Sequence, residues 1–367
     1  MTPPTVSIIT TVYNIEKHLD RFFECLKAQT FTDYEALMID DGSSDGSLSL
    51  CRRYAESDER IRVFSLEHVG ISAARNFAME QIRTEFVTSL DGDDYFDKDY
   101  LKNLTDAEKE YGADLIIAGI INVDENGKEK DRLKARGRGY YTRGDFPELL
   151  PALLDENRLN YLYAKLYRAE LLKDIRVEPD VMQGSDTMIN CMYLEKAQSI
   201  AVTEDYDYSY VHYNKRSVTS YLGPDYFERL CRINRFVWDR MESAGFLNDD
   251  MTKIIDSRFL WSGYRYLSRA GMTDTPVKRL YRIASDVVNS DCYLTSYRRQ
   301  EKLGNIHSFR FEPVEPGKER EFIDRVRVVK KETEKNQRLE KLRGDCPDFI
   351  FNIWHGAKKA LGITRKK

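Results

Sequence analysis

The chain has 367 residues, more than one hydrophobic core usually supports, so we expect two units or one domain with a large appendage. A formal net charge of -4 at pH 7 argues against a nucleic-acid partner, and 32% charged residues indicate a well-solvated globular protein. No apolar stretch approaches the roughly 20 residues of a membrane-spanning helix.

The first hundred residues alternate between short apolar runs and segments with helical spacing. The apolar runs predict four strands, of which the first is expected to be buried: Val6–Val12, Tyr34–Ile39, Ile61–Leu66 and Phe86–Leu90. The intervening segments predict three helices: Ile15–Gln29, a second that ends near Ala55, and Gly70–Gln81. This alternation predicts an α/β fold with a mostly parallel sheet, which binds ligands at the carboxyl ends of its strands.

Between residues 99 and 213 the pattern is mixed. It predicts a helix at Asp99–Tyr111, one strand at Leu115–Val123 and a mobile basic loop at Arg132–Arg143. The remaining predictions are helical or mixed structure at Phe146–Leu154 and Leu159–Leu172, a helix at Met188–Ala197, and strands within Ser199–Tyr213.

The pattern becomes helical after Gly223 and Pro224, with predicted helices at Tyr226–Ala244, Asp250–Ala270, Thr275–Asn289 and Glu319–Arg343. We therefore divide the chain into an α/β domain over residues 1–223, a helical region over 224–345 and a basic amphipathic tail over 346–367. The helical region is expected either to shape a ligand site or to form the interface of a homo-oligomer.

Two acidic turns follow predicted strands. Asp91-Gly92-Asp93-Asp94 places three carboxylates within four residues, where they would repel one another without a cation, and oxygen ligands suit Mg²⁺ or Mn²⁺. A solvated acidic loop is the alternative. In the second turn, Asp40 to Asp45, carboxylates could accept hydrogen bonds from a base N–H or a ribose hydroxyl, while Ser43, Ser44 or Asp45 could cap the next helix.

These turns belong to four segments that resemble the family 2 nucleotide-sugar glycosyltransferases: VSIITTVYN (Val6 to Asn14), MIDDGSSDGS (Met38 to Ser47), HVGISAARN (His68 to Asn76) and TSLDGDDYF (Thr88 to Phe96). The likeness continues more loosely to about residue 220. It implies a GT-A fold, a Rossmann-like sheet flanked by helices, with a helical C-terminal appendage, and it makes residues 1–223 the catalytic domain.

The resemblance also implies roles for individual residues. Asp186 would be the catalytic base, and Asp93 and His212 would bind the metal, Mn²⁺ or Mg²⁺. The donor, usually a uridine nucleotide sugar, would be bound by Thr11, Val12, Tyr13, Asn14, Asp41, Gly70, Arg75, Asp91 and Gly92. Alternatively, Arg75 would not bind the donor but would form an ion pair with Asp91 or Asp93.

Three positions depart from the family pattern. His68 stands where Asn is frequent, Ser185 replaces the Glu of a Glu-Asp pair, and Tyr163 stands where Trp is common. His68 leaves the donor contacts of its loop open. Ser185 removes one acceptor of hydrogen bonds, and Tyr163 keeps an aromatic surface.

The expected activity is inverting, metal-dependent transfer of a sugar to a hydroxyl of a glycan or lipid-linked acceptor, as in bacterial surface polysaccharide, teichoic acid or capsule synthesis. A nucleotidyltransferase is one alternative, but TTVYN lacks the Gly-rich basic loop that binds a triphosphate. A catalytically inactive glycan-binding protein is the other.

The N-terminal segment lacks the basic and apolar regions of a signal peptide, so we expect a cytoplasmic protein. In the tail, Phe349–Leu361 places aromatic and aliphatic residues near one helical face beside lysines. Peripheral contact with the inner face of the membrane is one interpretation, and a helix docked on this protein or on a second copy is the other.

Overall fold

The structure is a computed structural model that describes residues 4–133, 137–213, 225–270, 283, 285–287 and 289–305. These residues form two compact units, the first comprising residues 4–213 and 235–254, the second comprising residues 225–234 and those from 255 onward. The predicted helix Glu319–Arg343, the tail and most of Thr275–Asn289 lie outside the described residues.

Twelve strands are present in the described residues of the first unit. They are β1 Val6–Val12, β2 Tyr34–Asp40, β3 Ile61–Ser65, β4 Phe86–Ser89, β5 Tyr95–Phe96, β6 Leu115–Ile117, β7 Ile120–Asp124, β8 Glu129–Leu133, β9 Gly139–Thr142, β10 Lys165–Arg168, β11 Ser199–Val202 and β12 Tyr208–His212. Eight form a large sheet in the order β3-β2-β1-β4-β10-β6-β11-β9, and four form a small sheet in the order β5-β12-β7-β8.

The described helices flank and follow these strands. They are α1 Glu16–Lys27, α2 Ser47–Ser57, α3 Ile71–Glu80, α4 Tyr100–Tyr111, α5 Phe146–Asp155, α6 Ala169–Leu172, α7 Ser185–Lys196, α8 Tyr226–Ser243, α9 Asp249–Ala270 and α10 Asp291–Lys302. No helix in the described part of the chain is long and apolar enough to cross a membrane.

The predicted α/β fold with a mostly parallel sheet is confirmed. Strands β3, β2, β1 and β4 are parallel neighbours, whereas β10 is antiparallel to both of its neighbours and β9 is antiparallel to β11. Every residue of β2 is buried, and α1 buries Leu19, Phe22, Phe23 and Leu26. Burial of each such side chain stabilises the fold by about 1.5–3 kcal/mol.

The single strand predicted over Leu115–Val123 is wrong. The chain forms β6 in the large sheet, breaks at Ala118 and Gly119, and continues as β7 in the small sheet. Gly119 lies so close to the residues before β12 that a Cβ atom there would be 2.5 Å from the Tyr206 ring and 2.7 Å from the Asp205 carbonyl oxygen.

The mobile loop predicted at Arg132–Arg143 is also wrong for the described residues. Residues Gly139–Thr142 form β9, which pairs with β11 from Ser199 to Val202, and β8 extends to Leu133. The glycines and basic residues suggested a loop, but Tyr140 and Tyr141 favour a strand, and β11 supplies the partner for their backbone groups.

The described residues of the second unit are helical. Asp256 of α9 is fully buried and accepts two hydrogen bonds from the Arg299 guanidinium of α10, at 2.7 and 2.6 Å. The Tyr226 ring stacks on that of Tyr266 with a centroid distance of 5.3 Å. An ion pair and ring contacts therefore join the helices of this unit.

Candidate functional site

The loops that follow β1 and β2 are joined at the carboxyl edge of the large sheet. The side-chain oxygen of Asn14 accepts hydrogen bonds from the backbone N–H of Ser44 at 2.8 Å and of Asp45 at 3.4 Å. The Asn14 backbone N–H donates to the Ser43 hydroxyl at 3.0 Å. Asn14 has a φ of 53°, and its hydrogen bonds hold the two loops as one surface.

Asp41 connects this surface to the loop before α3. Its Oδ1 accepts from the Val69 N–H at 2.6 Å, and its Oδ2 accepts from the Gly70 N–H at 3.0 Å. Gly42, with a φ of 71°, allows the close approach, since a Cβ atom there would lie 2.8 Å from the His68 nitrogen. The buried Asp41 carboxylate thus holds the loop before α3 through two backbone N–H groups.

Tyr13 and His68 form an aromatic pair beside Asp41. Their ring centroids are 4.5 Å apart with an interplanar angle of 19°, and Tyr13 is 46% exposed. The predicted donor residues Thr11 and Val12 differ from Tyr13, because Val12 is fully buried and its carbonyl accepts from the Asp41 N–H, while Thr11 is half-buried. An exposed aromatic face is therefore available to a planar base mainly at Tyr13.

Arg75 and Asp186 meet across the strand ends. Arg75, on α3, is buried and donates from Nη1 to Asp186 Oδ1 and, at 2.6 Å, to the Ser185 hydroxyl. Gly184 has a φ of 84° and starts α7, which places Asp186 in the first helical turn, where the helix dipole favours a carboxylate. The predicted alternative partners of Arg75, Asp91 and Asp93, are not its hydrogen-bond partners in the described residues.

The carboxylates of Asp91, Asp93 and Asp186 interact electrostatically. Burial, followed by the charges of Asp93 and Asp186, raises the pKa of Asp91 to about 7, and Arg75 opposes this rise. The side chains that the motifs predicted as one site therefore lie in one region, although they come from α3, α7 and the loop after β4.

Asp94 has a structural role instead. It is buried, and its carboxylate accepts from the Tyr208 hydroxyl at 2.6 Å and from the Val211 N–H at 2.8 Å. Burial, with the charges of Asp91 and Asp93, raises the pKa of Asp94 well above its ordinary value. Only Asp91 and Asp93 of the acidic turn thus remain available to a cation.

The Asp93 backbone is held by residues that the sequence did not indicate. Its carbonyl oxygen accepts from Arg21 Nη2 at 2.9 Å and from the Tyr213 hydroxyl at 2.7 Å. Gly92 beside it packs under α1, since a Cβ atom there would be 2.5 Å from the Ile15 side chain. The turn is therefore fixed against α1 on one side.

A tyrosine stack lies behind the acidic turn. Tyr163 stacks on Tyr161 at 4.3 Å and on Tyr208 at 4.4 Å, with interplanar angles of 4° and 7°. Burial raises the pKa of Tyr163 well above its ordinary value, and the charges of Asp94 and Asp91 raise it further. The sequence indicated an aromatic surface at Tyr163 but not its partners in this stack.

Lys165 lies fully buried at the end of the stack. Its Nζ donates to the Tyr161 carbonyl oxygen at 2.8 Å and is 4.1 Å from the centre of the Tyr161 ring. Burial, and then Arg158, lowers the pKa of Lys165 well below its ordinary value, whereas Asp186 raises it. Nothing in the sequence indicated this buried cation near the predicted base.

His212 is placed differently from the other predicted site residues. Its ring nitrogen Nε2 is 3.0 Å from the Asn122 side-chain oxygen on the neighbouring strand β7. Burial and Lys130 lower the pKa of His212, while Asp131 raises it, and no described contact joins His212 to Asp93. The structure brings Tyr213, rather than His212, to the acidic turn.

The ligands available at the acidic turn, the carboxylates of Asp91 and Asp93, fit a divalent cation that also binds a substrate phosphate. In the described part of the chain, no hydrogen-bond donor contacts the Asp91 or Asp93 carboxylate, and no group of three or more His, Cys, Asp or Glu side chains is arranged to hold a metal ion. Mg²⁺ in particular is commonly bound by one or two carboxylates, with phosphates and water as the other ligands. Two carboxylates are therefore enough for this type of site.

Comparison with known proteins points to one family. The sequence model described as Glycosyl transferase family 2 matches residues 7–176. This stretch includes Asp41, Arg75, Asp91 and Asp93, and it ends before Asp186 and His212.

Several characterised or named relatives are similar over about half of the chain. Glycosyltransferase GlyA of Streptococcus pneumoniae is 28% identical over 191 residues, covering 50% of this chain and 27% of the relative. The putative glycosyltransferase EpsH of Bacillus subtilis is 30% identical over 180 residues, covering 48% and 51%. The chain thus spans only part of the length of the curated relatives it matches.

A solved structure shows the same fold. It is Staphylococcus aureus TarS, residues 1–349, in complex with UDP-GlcNAc, with a TM-score of 0.58 and 20% identity, covering 83% of this chain and 90% of that one. Full-length TarS is named as a poly(ribitol-phosphate) beta-N-acetylglucosaminyltransferase and is 27% identical over 237 residues, covering 62% of this chain and 39% of TarS. The GT-A fold predicted from the motifs is confirmed. Residues 7–176, somewhat less than half of the chain, match the family model and contain Asp41, Arg75, Asp91 and Asp93, so this part of the chain is similar to glycosyl transferase family 2.

Proposed function

We propose that this protein is an inverting glycosyltransferase that moves a sugar from a nucleotide-sugar donor to a hydroxyl of a cell-surface glycan or lipid-linked acceptor. The observation that carries the proposal is the hydrogen bond by which the buried Arg75 of α3 holds Asp186 of α7, in reach of the charge on Asp91. Carboxylates from separate segments would there act on opposite sides of a reacting sugar.

Asp186 is the base in this proposal. Inversion requires the acceptor hydroxyl to attack from the face opposite the leaving diphosphate, and a carboxylate must take its proton during the attack. Arg75 and Ser185 occupy Oδ1 of Asp186, and in the described residues no donor occupies Oδ2. Oδ2 is therefore the atom that accepts the proton, and Arg75 orients the carboxylate.

The joined loops after β1 and β2 would bind the nucleoside. Tyr13 offers an exposed ring for a planar base, and Asp41 and Gly70 fix the loop that faces it. Because TarS, which shares the fold, was solved with UDP-GlcNAc, UDP-sugars are the first donors to test.

Asp93, with Asp91 beside it, would hold Mn²⁺ or Mg²⁺. When bound there, the cation would supply Lewis-acid stabilisation of the negative charge on the departing diphosphate. The chain's own contribution is to present two carboxylates free of hydrogen bonds from the described residues and to hold the turn that carries them.

A screen of UDP-sugars with Mn²⁺, read as UDP release with and without EDTA, tests the function. We expect Mn²⁺-dependent release of UDP with at least one sugar. Release of pyrophosphate from a nucleoside triphosphate and sugar phosphate would identify a nucleotidyltransferase instead. Binding of glycans without turnover of any donor would identify an inactive binding protein.

A further inference from the structure

The Asp93 carbonyl oxygen is the meeting point of two distant segments. Arg21 comes from α1, and Tyr213 follows β12, 120 residues after Asp93 in the chain. Both side chains donate to the same oxygen, at 2.9 and 2.7 Å. The backbone of the candidate metal ligand is therefore held by two side-chain donors at once.

The hydrogen bonds around the Tyr213 hydroxyl are mutually consistent. A tyrosine hydroxyl donates one hydrogen bond and can accept two. Tyr213 donates to Asp93, accepts from Arg21 Nη2 at 3.0 Å, and lies 3.2 Å from Nδ1 of His18. With the proton of His18 placed on Nδ1, every partner of the hydroxyl is satisfied.

Aromatic rings and a lysine also contact Arg21 and Tyr213, the two donors to the Asp93 carbonyl oxygen. The His18 and Tyr213 ring centroids are 4.6 Å apart, and Lys17 Nζ lies 5.8 Å from the centre of the Tyr213 ring. The Arg21 guanidinium lies 4.7 Å from the centre of the Tyr95 ring. The Lys17 ammonium and the His18 and Tyr95 rings thus contact the two donors that reach Asp93.

The contacts stop at the backbone of Asp93. Its carboxylate receives no hydrogen bond from the described residues, whereas the carboxylate of the next residue, Asp94, accepts two. Two side chains therefore hold the Asp93 backbone, while both oxygens of its carboxylate remain available to a cation.

We propose that Arg21 and Tyr213 are positioning residues that fix the backbone of Asp93 so that its carboxylate is aimed at the cation bound with the donor diphosphate. The inference rests on the proposed function, because it requires Asp93 to bind that cation. Outer partners of metal ligands typically contribute about 10–100-fold to metal affinity.

Tyr213→Phe tests the inference, since it removes the hydroxyl and keeps the ring. Calorimetric titration of Mn²⁺ in the presence of UDP is expected to show affinity lowered by about tenfold. The melting temperature without metal is measured alongside. High Mn²⁺ concentrations are expected to restore much of the rate of UDP release, because the base is unaltered.

Tyr54→Phe is the matched control. The Tyr54 hydroxyl, on α2, also bonds to α1, at 2.8 Å from Asp20 Oδ1, and no described hydrogen bond joins Tyr54 or Asp20 to Asp93. Loss of this hydroxyl is expected to leave Mn²⁺ affinity unchanged. Arg21→Lys is the second test variant, because it keeps the positive charge and loses the donor geometry.

The outcomes separate this inference from the proposed function. Mn²⁺ affinity equal to that of the unaltered protein in both Tyr213→Phe and Arg21→Lys overturns the inference alone. Equal losses in Tyr213→Phe and Tyr54→Phe overturn it as well, since they show a general effect on α1. Failure of the unaltered protein to bind UDP with Mn²⁺ overturns both.

Discussion

Arg75 donates a hydrogen bond to Oδ1 of Asp186, and the pair is largely buried, with side-chain exposures of 9% and 24%. The bond joins α3, which follows the predicted donor loop, to α7, which carries the proposed base. Removal of the arginine therefore affects both stability and the orientation of the carboxylate.

Arg75→Met is expected to destabilise the protein by about 2–3 kcal/mol, less than for a fully buried pair because Asp186 is partly exposed. The double variant Arg75→Met/Asp186→Asn is expected to recover part of this loss, because it leaves no unpaired carboxylate at residue 186. Chemical denaturation of the two variants and of the parent measures the difference. Equal losses in the single and the double variant would show that the charge of Asp186 does not matter.

Asp186→Asn is expected to keep donor binding and lose transfer. An amide accepts hydrogen bonds but cannot take the proton, and removal of a general base typically costs about 10²–10⁴-fold in rate. Calorimetry with UDP and Mn²⁺ measures binding, and product formation from a donor found in the screen measures transfer. Near-normal turnover would exclude Asp186 as the base.

Asp93→Ala is expected to abolish the effect of Mn²⁺ on UDP binding, because the carboxylate is the proposed ligand. UDP affinity measured with Mn²⁺ and with EDTA gives the comparison. The melting temperature is expected to change little, since the contacts of Arg21 and Tyr213 go to the backbone of Asp93. Persistent Mn²⁺ dependence would remove Asp93 from the metal site.

Asp91→Asn is expected to stabilise the protein without metal at neutral pH. The pKa of Asp91 is raised from 3.8 to about 7 in the folded protein, so its ionisation costs stability progressively as pH rises from about 4 to 7. The gain in melting temperature from the variant is therefore expected to be near zero at pH 4 and to level off above pH 7. A gain that is the same at pH 4 and pH 8 would contradict this origin.

His212→Ala is expected to leave Mn²⁺ affinity unchanged. The resemblance to the family made His212 a candidate metal ligand, but its ring contacts Asn122 on β7. The same calorimetric titration applies, with Tyr213→Phe as the neighbouring variant that is expected to respond. Weakened Mn²⁺ binding in His212→Ala would support the ligand role inferred from the family.

The first four strands were predictable because each lies in a short run rich in apolar residues followed by a polar turn, and β1, β2 and β4 are almost wholly buried. The predicted bounds of β1 are those of the structure, and those of β2 and β3 differ by one residue at one end. The break at Gly119 was not predictable, because apolar residues stand on both sides of it and only the contact with Tyr206 requires it. The antiparallel direction of β10 depends on its pairing with β4 and β6, and the local sequence pattern does not show which strands will pair.

For the site, the motifs indicated Arg75, Asp91, Asp93 and Asp186, which the structure brings into one region. Residues that act through tertiary contacts were missed. Arg21 lies in the predicted helix Ile15–Gln29, and Lys165 lies in the segment Leu159–Leu172 predicted as helical or mixed structure, where neither pattern indicates a role for them. Their partners lie far away in the chain, and spacing alone could not join them.

Gly119 has a consequence for how this protein tolerates change. Any side chain there would push apart the two chain segments that pass together from the large sheet to the small one, and β12 would move with them. Because Tyr208 and Val211 of β12 bind Asp94, that displacement would reach the acidic turn three residues after Asp91. Gly119 has no functional group of its own, yet a substitution there would disturb the candidate metal site through β12.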